Sequence, residues 1–341
     1  MLLLAVNFHY VSDDSYPLGG IYPVTPRQFE AQLDALAADF DFVGLTDLDA
    51  AVRLGRPLPE RACLVTFDDG LRQQFDLAWP ILLRKGVPAG FFVNTVPFAE
   101  DRVCGVHQLH WLRAHVPQDE LLASLRFNAA LLGIDLNAAA PHPALLARQY
   151  RYDAPDAARL KYLLNFGLAR ADRELLVDRC FHQHHPDAAG EVDRLYMPPE
   201  QWQELSDAGC LGTHAHDHLP LAQLAPSEAE RQVTRSLDIL ESVTGRRPTT
   251  ISYPYGGPDA VSEPLADLCA SLGLTAGLTM ERAFSRSADG PLMLARCNTN
   301  DAPGGSRPAF RMVGGTPVVT AADFADHRPR WDGTAAAAAV A

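Results

Sequence analysis

Residues Arg61 to Phe75 read RACLVTFDDGLRQQF. An apolar run climbs through CLVTF, reaches two adjacent aspartates, Asp68 and Asp69, and then meets a glycine. Short, apolar and bounded by a turn residue, the run reads as a buried strand that ends at the carboxylate pair. Two carboxylates side by side at such an end repel each other and lose hydration. The pattern therefore points to a compensating charge, with a bound cation as the direct candidate.

Strand and helix signals alternate around this stretch. LLLAVNF, residues 2–8, is a second buried strand, and PAGFFVNTV, residues 88–96, a third. Between them, Thr25 and Pro26 mark a helix start whose apolar residues Phe29, Leu33, Leu36 and Ala37 keep helical spacing. DFVGL, 41–45, looks like a short strand, and QFDLAWPILLRKG, 74–86, like a helix that ends at Gly86. From about 101 to 194 the pattern is helical, with DELLASLRFNAALLG, PALLARQYRY, PDAARLKYLLNFGL and ADRELLVDRCFHQHHP as its helices. Alternation then resumes through LGTHAHDH, TTISYPYGG, TAGLTM and LMLARC, with helices between. Beyond Asn300 the chain is rich in Pro, Gly and Ala and ends in TAAAAAVA, read as a loose tail. This alternation implies an α/β fold with a parallel sheet or barrel, interrupted by a helical insertion. In such folds ligands bind beyond the carboxyl ends of the strands, where Asp68, Asp69, the THAHDH cluster and YPYGG all fall.

The 341 residues carry a net charge of −13, with 47% apolar and 21% charged residues. That is a soluble globular composition. Its acidity speaks against a nucleic-acid partner and against docking on an anionic membrane face. The opening MLLLAVNFHYVSDD has no basic leader and only a short apolar run, so it reads as a core strand, with no export signal. No other stretch approaches a membrane span. The six cysteines form no CxxC pair and read as buried free thiols, and the expected location is cytoplasmic.

GTHAHDHLPLA, 212–222, holds His214, His216 and His218. Strand alternation places residues two apart on one face, whereas a turn would bring His214 and His218 together. Three histidines and a carboxylate pair form a mixed nitrogen and oxygen ligand set. It suits Zn²⁺, and also Ni²⁺, Co²⁺, Mn²⁺ or Fe²⁺.

TFDDG at 66–70, the histidine cluster at 214–219 and ISYPYGG at 251–257 together resemble the polysaccharide deacetylases, carbohydrate esterase family four with its nodulation-type deacetylase domain, in a Tyr-Pro-Tyr-Gly branch. The resemblance covers roughly 1–100 and 195–300. It implies a distorted (β/α) barrel of about seven parallel strands, with 101–194 as a helical insertion and 301–341 as a C-terminal extension. It also implies Asp68 as general base, Asp69, His214 and His218 as ligands of one divalent ion, zinc first, and the Tyr255 backbone amide as the oxyanion contact. The sequence departs from the family pattern at Ala215, where a serine or threonine is usual, at Leu219, where proline is, and at Ser252, where an arginine steadies the base. No Leu-x-His follows His218.

The general acid therefore has several candidates. His9 ends the first strand, and His107 and His110 open the insertion. His107, His110 and His216 are also candidate substrate contacts, and Arg296 is a candidate source of the positive charge missing at Ser252. The expected activity is a metal-dependent amide hydrolase that removes an N-acyl group, acetyl first, from an amino sugar of a cytoplasmic glycan precursor, nucleotide- or lipid-linked. The alternatives are an N-formyl-sugar or cyclic-amide hydrolase using the same residues, and a catalytically inactive glycan-binding module.

Overall fold

The structure is a computed structural model that describes residues 1–136, 158–159, 162–188, 190–286 and 290–325. It divides into two compact units, one of 1–13, 23–102 and 192–341, the other of 14–22 and 103–191. The second therefore takes in 14–22, which the sequence reading assigns to the barrel.

The first unit is built on a curled, mostly parallel sheet. Its strands are β1 (Leu2–Phe8), β2 (Asp41–Phe42), β3 (Arg61–Phe67), β4 (Ala89–Val93), β5 (Leu211–Thr213), β6 (Thr250–Ser252), β7 (Ala276–Leu278), β8 (Ser285–Arg286) and β9 (Cys297–Asn298). The main path runs β7-β6-β5-β4-β3-β1-β8, with β2 beside β3 and β9 beside β1. β1 and β3 pair in parallel from Leu2↔Arg61 to Phe8↔Phe67. Both are mostly apolar because both faces are covered, with Asn7 and Thr66 the buried polar exceptions near their ends. The faces separate by alternation. Leu4, Val6 and Phe8 join Cys63, Val65 and Phe67 in one core cluster, against the helix Pro26–Ala37. Leu3 and Ala5 join Ala62, Leu64, Phe92, Ala276 and Leu278 in another, filling the interior of the curled sheet. Phe8, Phe29, Phe67 and Phe91 form a ring ladder with centroids 4.6 to 5.6 Å apart along the chain of contacts. Burying such rings dominates the energetics of a core.

This is the expected deacetylase-type barrel, with local differences. β8 pairs antiparallel with β1, which the sequence reading did not anticipate. LMLARC is not one strand: Pro291–Met293 is a 3₁₀ turn, Leu294 makes a single bridge to Leu278, and Cys297 pairs with β1. The short run is shared between two strands and gives a full ladder to neither. The helix at 74–86 opens with a π-helical turn, Gln74–Ala78, before Trp79–Lys85. The extension beyond Asn300 is described as far as residue 325 and contains regular structure. Phe310–Val313 (β10) and Thr316–Val319 (β11) form a hairpin, and Phe284, Phe310 and Phe324 pack their rings 4.7 to 5.2 Å apart. The alanine tail lies outside the described residues, as do PALLARQYRY and part of PDAARLKYLLNFGL.

The described part of 103–191 in the second unit is mainly helical, with helices Gly105–His115, Gln118–Leu132 and Arg170–His184. Leu112, Leu121, Leu125, Leu176, Cys180 and Phe181 are buried in it. Trp111 stacks flat on His185 at 4.3 Å. All six cysteines are free and buried. No helix among the described residues is long and apolar enough to cross a membrane.

Candidate active site

The inner-face alternation of β1 and β3 carries the chemistry. Along β1 the inward positions run Leu3, Ala5, Asn7, and along β3 Ala62, Leu64, Thr66, so the next inward residues are His9 and Asp68. Asp68 is 2% exposed. Arg296, fully buried, places Nη1 2.8 Å from Asp68 Oδ1 and Nη2 2.6 Å from Oδ2. Asn7 Nδ2 donates to Oδ2 at 3.0 Å. Arg296 Nη2 also donates to Ser252 Oγ at 2.8 Å, and its Nη1 to Asn7 Oδ1 and Thr66 Oγ1, each at 3.3 Å. Burial by itself would raise the Asp68 pKa; the guanidinium, the His214 imidazole and the hydrogen bonds outweigh it and hold the carboxyl at about 2.

Asp69 faces a different pair. Its Oδ1 lies 3.5 Å from His214 Nε2 and 3.4 Å from His218 Nε2. One ligand atom from each of the three residues falls within 4.8 Å of the others, and all three side chains are buried. His214 Nδ1 sits 2.7 Å from the Ser252 carbonyl oxygen. A carbonyl only accepts, so Nδ1 carries the proton and Nε2 turns its lone pair toward Asp69. Burial lowers the His214 pKa to about 4, so the ring is neutral at neutral pH. A carboxylate oxygen and an imidazole lone pair aimed at one point in a buried site repel unless a cation lies between them. The donor set thus fits a divalent cation with open positions. Among the described residues this is the one cluster of three such side chains. The HQHHP histidines instead approach single carboxylates, as in His185 to Glu191 at 3.2 Å.

The backbone here is unusual. Among the described residues five non-glycine residues have left-handed φ, and four are at this site: Asp69 (80°), Ala215 (59°), His218 (34°) and Tyr255 (62°). Such positions persist where surrounding structure over-determines them, and they cluster at functional sites. Two glycines make the turns feasible. A Cβ on Gly70 (φ 67°) would lie 2.8 Å from Val93 Cγ1, and one on Gly256 (φ 60°) 2.6 Å from the Met280 nitrogen. Tyr255 stands partly exposed, with its ring edge on His218 at 4.8 Å.

The fold brings together Asp68, Asp69, His214, His218, Arg296 and Tyr255. His9 is half-buried, with Nε2 3.5 Å from Asn7 Nδ2 and its carbonyl accepting from Gln74 at 2.9 Å. His216 turns away from the triad toward Thr95 and Glu100. His107 and His110 lie in the second unit, on its helix Gly105–His115, with ring centroids 5.9 Å apart. Sequence reasoning missed Asn7. Its signal was present, as the first polar residue on the inner face of an otherwise apolar strand, two positions before His9.

A curled parallel sheet with one carboxylate and two imidazoles converging at its carboxyl strand ends is the arrangement that the resemblance to the polysaccharide deacetylases implies. The family described as polysaccharide deacetylase matches residues 177–277, which take in His214, His218 and Tyr255. The peptidoglycan-N-acetylmuramic acid deacetylase PdaC of Bacillus subtilis (strain 168) is 36% identical over 62 residues, 18% of this chain and 13% of that protein. The chain thus matches only a small part of that relative's length. The deacetylase PplD of Streptococcus pyogenes, solved in complex with acetate, superposes with a TM-score of 0.54 at 15% identity, covering 87% of this chain and 92% of that one. The deacetylase domain of BpsB from Bordetella bronchiseptica gives 0.50 at 15%, covering 87% and 95%. At these identities the structural likenesses speak for the fold.

Proposed function

We propose that this chain is a metal-dependent N-deacetylase that hydrolyses the acetamide of an amino sugar in a glycan or glycan precursor. The observation that carries the reading is the division of labour between neighbours: Asp68 is gripped by Arg296, while Asp69 turns its Oδ1 to two imidazole nitrogens. The family match and the deacetylase activities of the similar proteins agree with it.

A divalent ion held by Asp69, His214 and His218 would polarise the amide carbonyl and acidify a water molecule. The remaining parts belong to the chain. A carboxylate has roughly four lone-pair sites. On Asp68, Arg296 and Asn7 occupy three, two of them on Oδ2. Oδ1 keeps one for the proton of the attacking water, as a general base requires. Arg296, from the segment that runs between β7 and β1, supplies the charge that Ser252 lacks, and Ser252 anchors it. The Tyr255 backbone N–H, in its left-handed turn, donates to the developing oxyanion. His9, inward-facing next after Asn7, hands a proton to the departing amine. Tyr255 offers an exposed ring at the mouth.

The test is acetate release from N-acetylated substrates by wild type and Asp68→Asn. The expected result is turnover in the wild type that falls about 10²- to 10⁴-fold in the variant. A wild type that binds N-acetylated glycans tightly and releases no acetate would replace the hydrolase with a binding module. The panel pairs nucleotide-linked and lipid-linked amino sugars, the expectation for a cytoplasmic precursor, with peptidoglycan fragments, the material named for the Bacillus relative. N-formyl analogues separate acetyl from formyl removal.

A further inference from the structure

The loop bearing His214 and His218 lacks two supports its family pattern provides, with Ala215 in place of a hydroxyl residue and Leu219 in place of proline. It nevertheless holds two left-handed residues, Ala215 and His218. Something else must over-determine it. Asn94 Nδ2 donates to the His214 carbonyl at 2.5 Å, the Val96 amide to the His216 carbonyl at 3.0 Å, and the Asp217 amide to Gln232 Oε1 at 3.0 Å. At the centre lies His216, 3% exposed, with Nδ1 2.8 Å from Thr95 Oγ1 and Nε2 3.3 Å from Glu100 Oε1. Glu100 is held in turn by Arg235 at 3.0 Å and Arg102 at 3.5 Å, and Arg102 returns to the loop at Asp217, 2.7 Å away. An ionised carboxylate only accepts, so Nε2 carries the proton and Nδ1 accepts from the Thr95 hydroxyl. Both ring nitrogens are thereby used on the helix Val96–Glu100 and its N-cap Thr95, and neither faces the triad.

We propose that His216 is a positioning residue for the metal loop: its two-ended bond to Thr95 and Glu100 replaces the missing supports and keeps His214 and His218 turned toward Asp69. The inference rests on the metal reading above.

The test is Zn²⁺ affinity of metal-stripped protein, titrated against a chromophoric chelator, for wild type, His216→Ala, His216→Gln, Thr95→Val and Glu100→Gln. Melting of each metal-free form is followed in parallel. Removing a partner that orients metal ligands costs about 10- to 100-fold in affinity, the loss expected for His216→Ala. Thr95→Val and Glu100→Gln each fall between it and wild type, and His216→Gln, whose amide can still reach Thr95, recovers part of the loss. A histidine that merely fills the core would lower the melting temperature and leave Zn²⁺ affinity unchanged, which overturns the proposal. If His216→Ala does not fold, Thr95→Val and Glu100→Gln decide by the same criterion. A wild type that binds no Zn²⁺ overturns the metal reading and this inference with it; a wild type that binds, with unchanged variants, overturns this inference alone.

Discussion

Arg296 and Asp68 meet as a two-pronged ion pair, 228 residues apart in sequence and both buried, with Nη1–Oδ1 at 2.8 Å and Nη2–Oδ2 at 2.6 Å. The parallel prongs fix the carboxylate plane as well as its charge. A lysine offers a point charge with no such fork.

Breaking this pair leaves a buried carboxylate without a countercharge. Arg296→Ala is expected to cost about 3–5 kcal/mol of stability, read as a lower urea midpoint. Arg296→Lys should lose less stability and still lose turnover, because the plane of Asp68 is released. An Arg296→Lys enzyme with wild-type kcat would show that the fork is dispensable.

Metal content separates the two aspartates. Elemental analysis should find about one divalent ion per wild-type chain, with three protein ligands in the manner of catalytic zinc sites. His214→Ala and Asp69→Asn should lose it, and Asp68→Asn should keep it. A chelator should abolish acetate release, and added Zn²⁺ or Co²⁺ should restore it. Retention of the ion by both ligand variants would dissolve the triad.

Acid should destabilise the metal-free protein in two stages. Burial holds His214 at about 4, below its ordinary 6.5. Asp68 lies at about 2, below its ordinary 3.8: burial raises it, and the Arg296 charge together with the other contacts more than reverses that. Both groups bind fewer protons folded than unfolded, so stability rises with pH. The His214 contribution is complete above its unfolded value of 6.5 and drains away as pH falls through 4; the Asp68 contribution is lost from 3.8 toward 2. Melting temperatures in chelator across this range check the sign, and a flat profile from 6.5 to 4 would contradict it.

Leaving-group dependence isolates His9. An amine must be protonated to depart, whereas a nitrophenolate leaves as an anion. His9→Ala should therefore lose about 10²- to 10⁴-fold in amide hydrolysis while hydrolysis of p-nitrophenyl acetate at the same site stays close to wild type. Equal losses on both substrates would assign His9 a different part.

Strand-helix alternation and the apolar runs at 2–8 and 61–67 made the parallel barrel readable, because residues buried on both faces have few other solutions. TFDDG and the histidine spacing named the residues that the fold gathers around Asp69, since local turn chemistry places carboxylates and imidazoles at strand ends. β8 and the hairpin Phe310–Val319 were not readable, because two-residue and four-residue strands carry too little periodicity.

What the sequence alone determined is therefore local: which of the longer apolar runs are strands, where those end, and which side chains stand at those ends. Tertiary structure decided the pairings. It set Arg296 on Asp68 across 228 residues, made Asn7 a third donor, and turned His216 out to Thr95 and Glu100 while its neighbours at 214 and 218 turned in. A side chain's direction in a loop depends on left-handed backbone positions such as Ala215 and His218, and contacts from other strands and helices hold those positions in place.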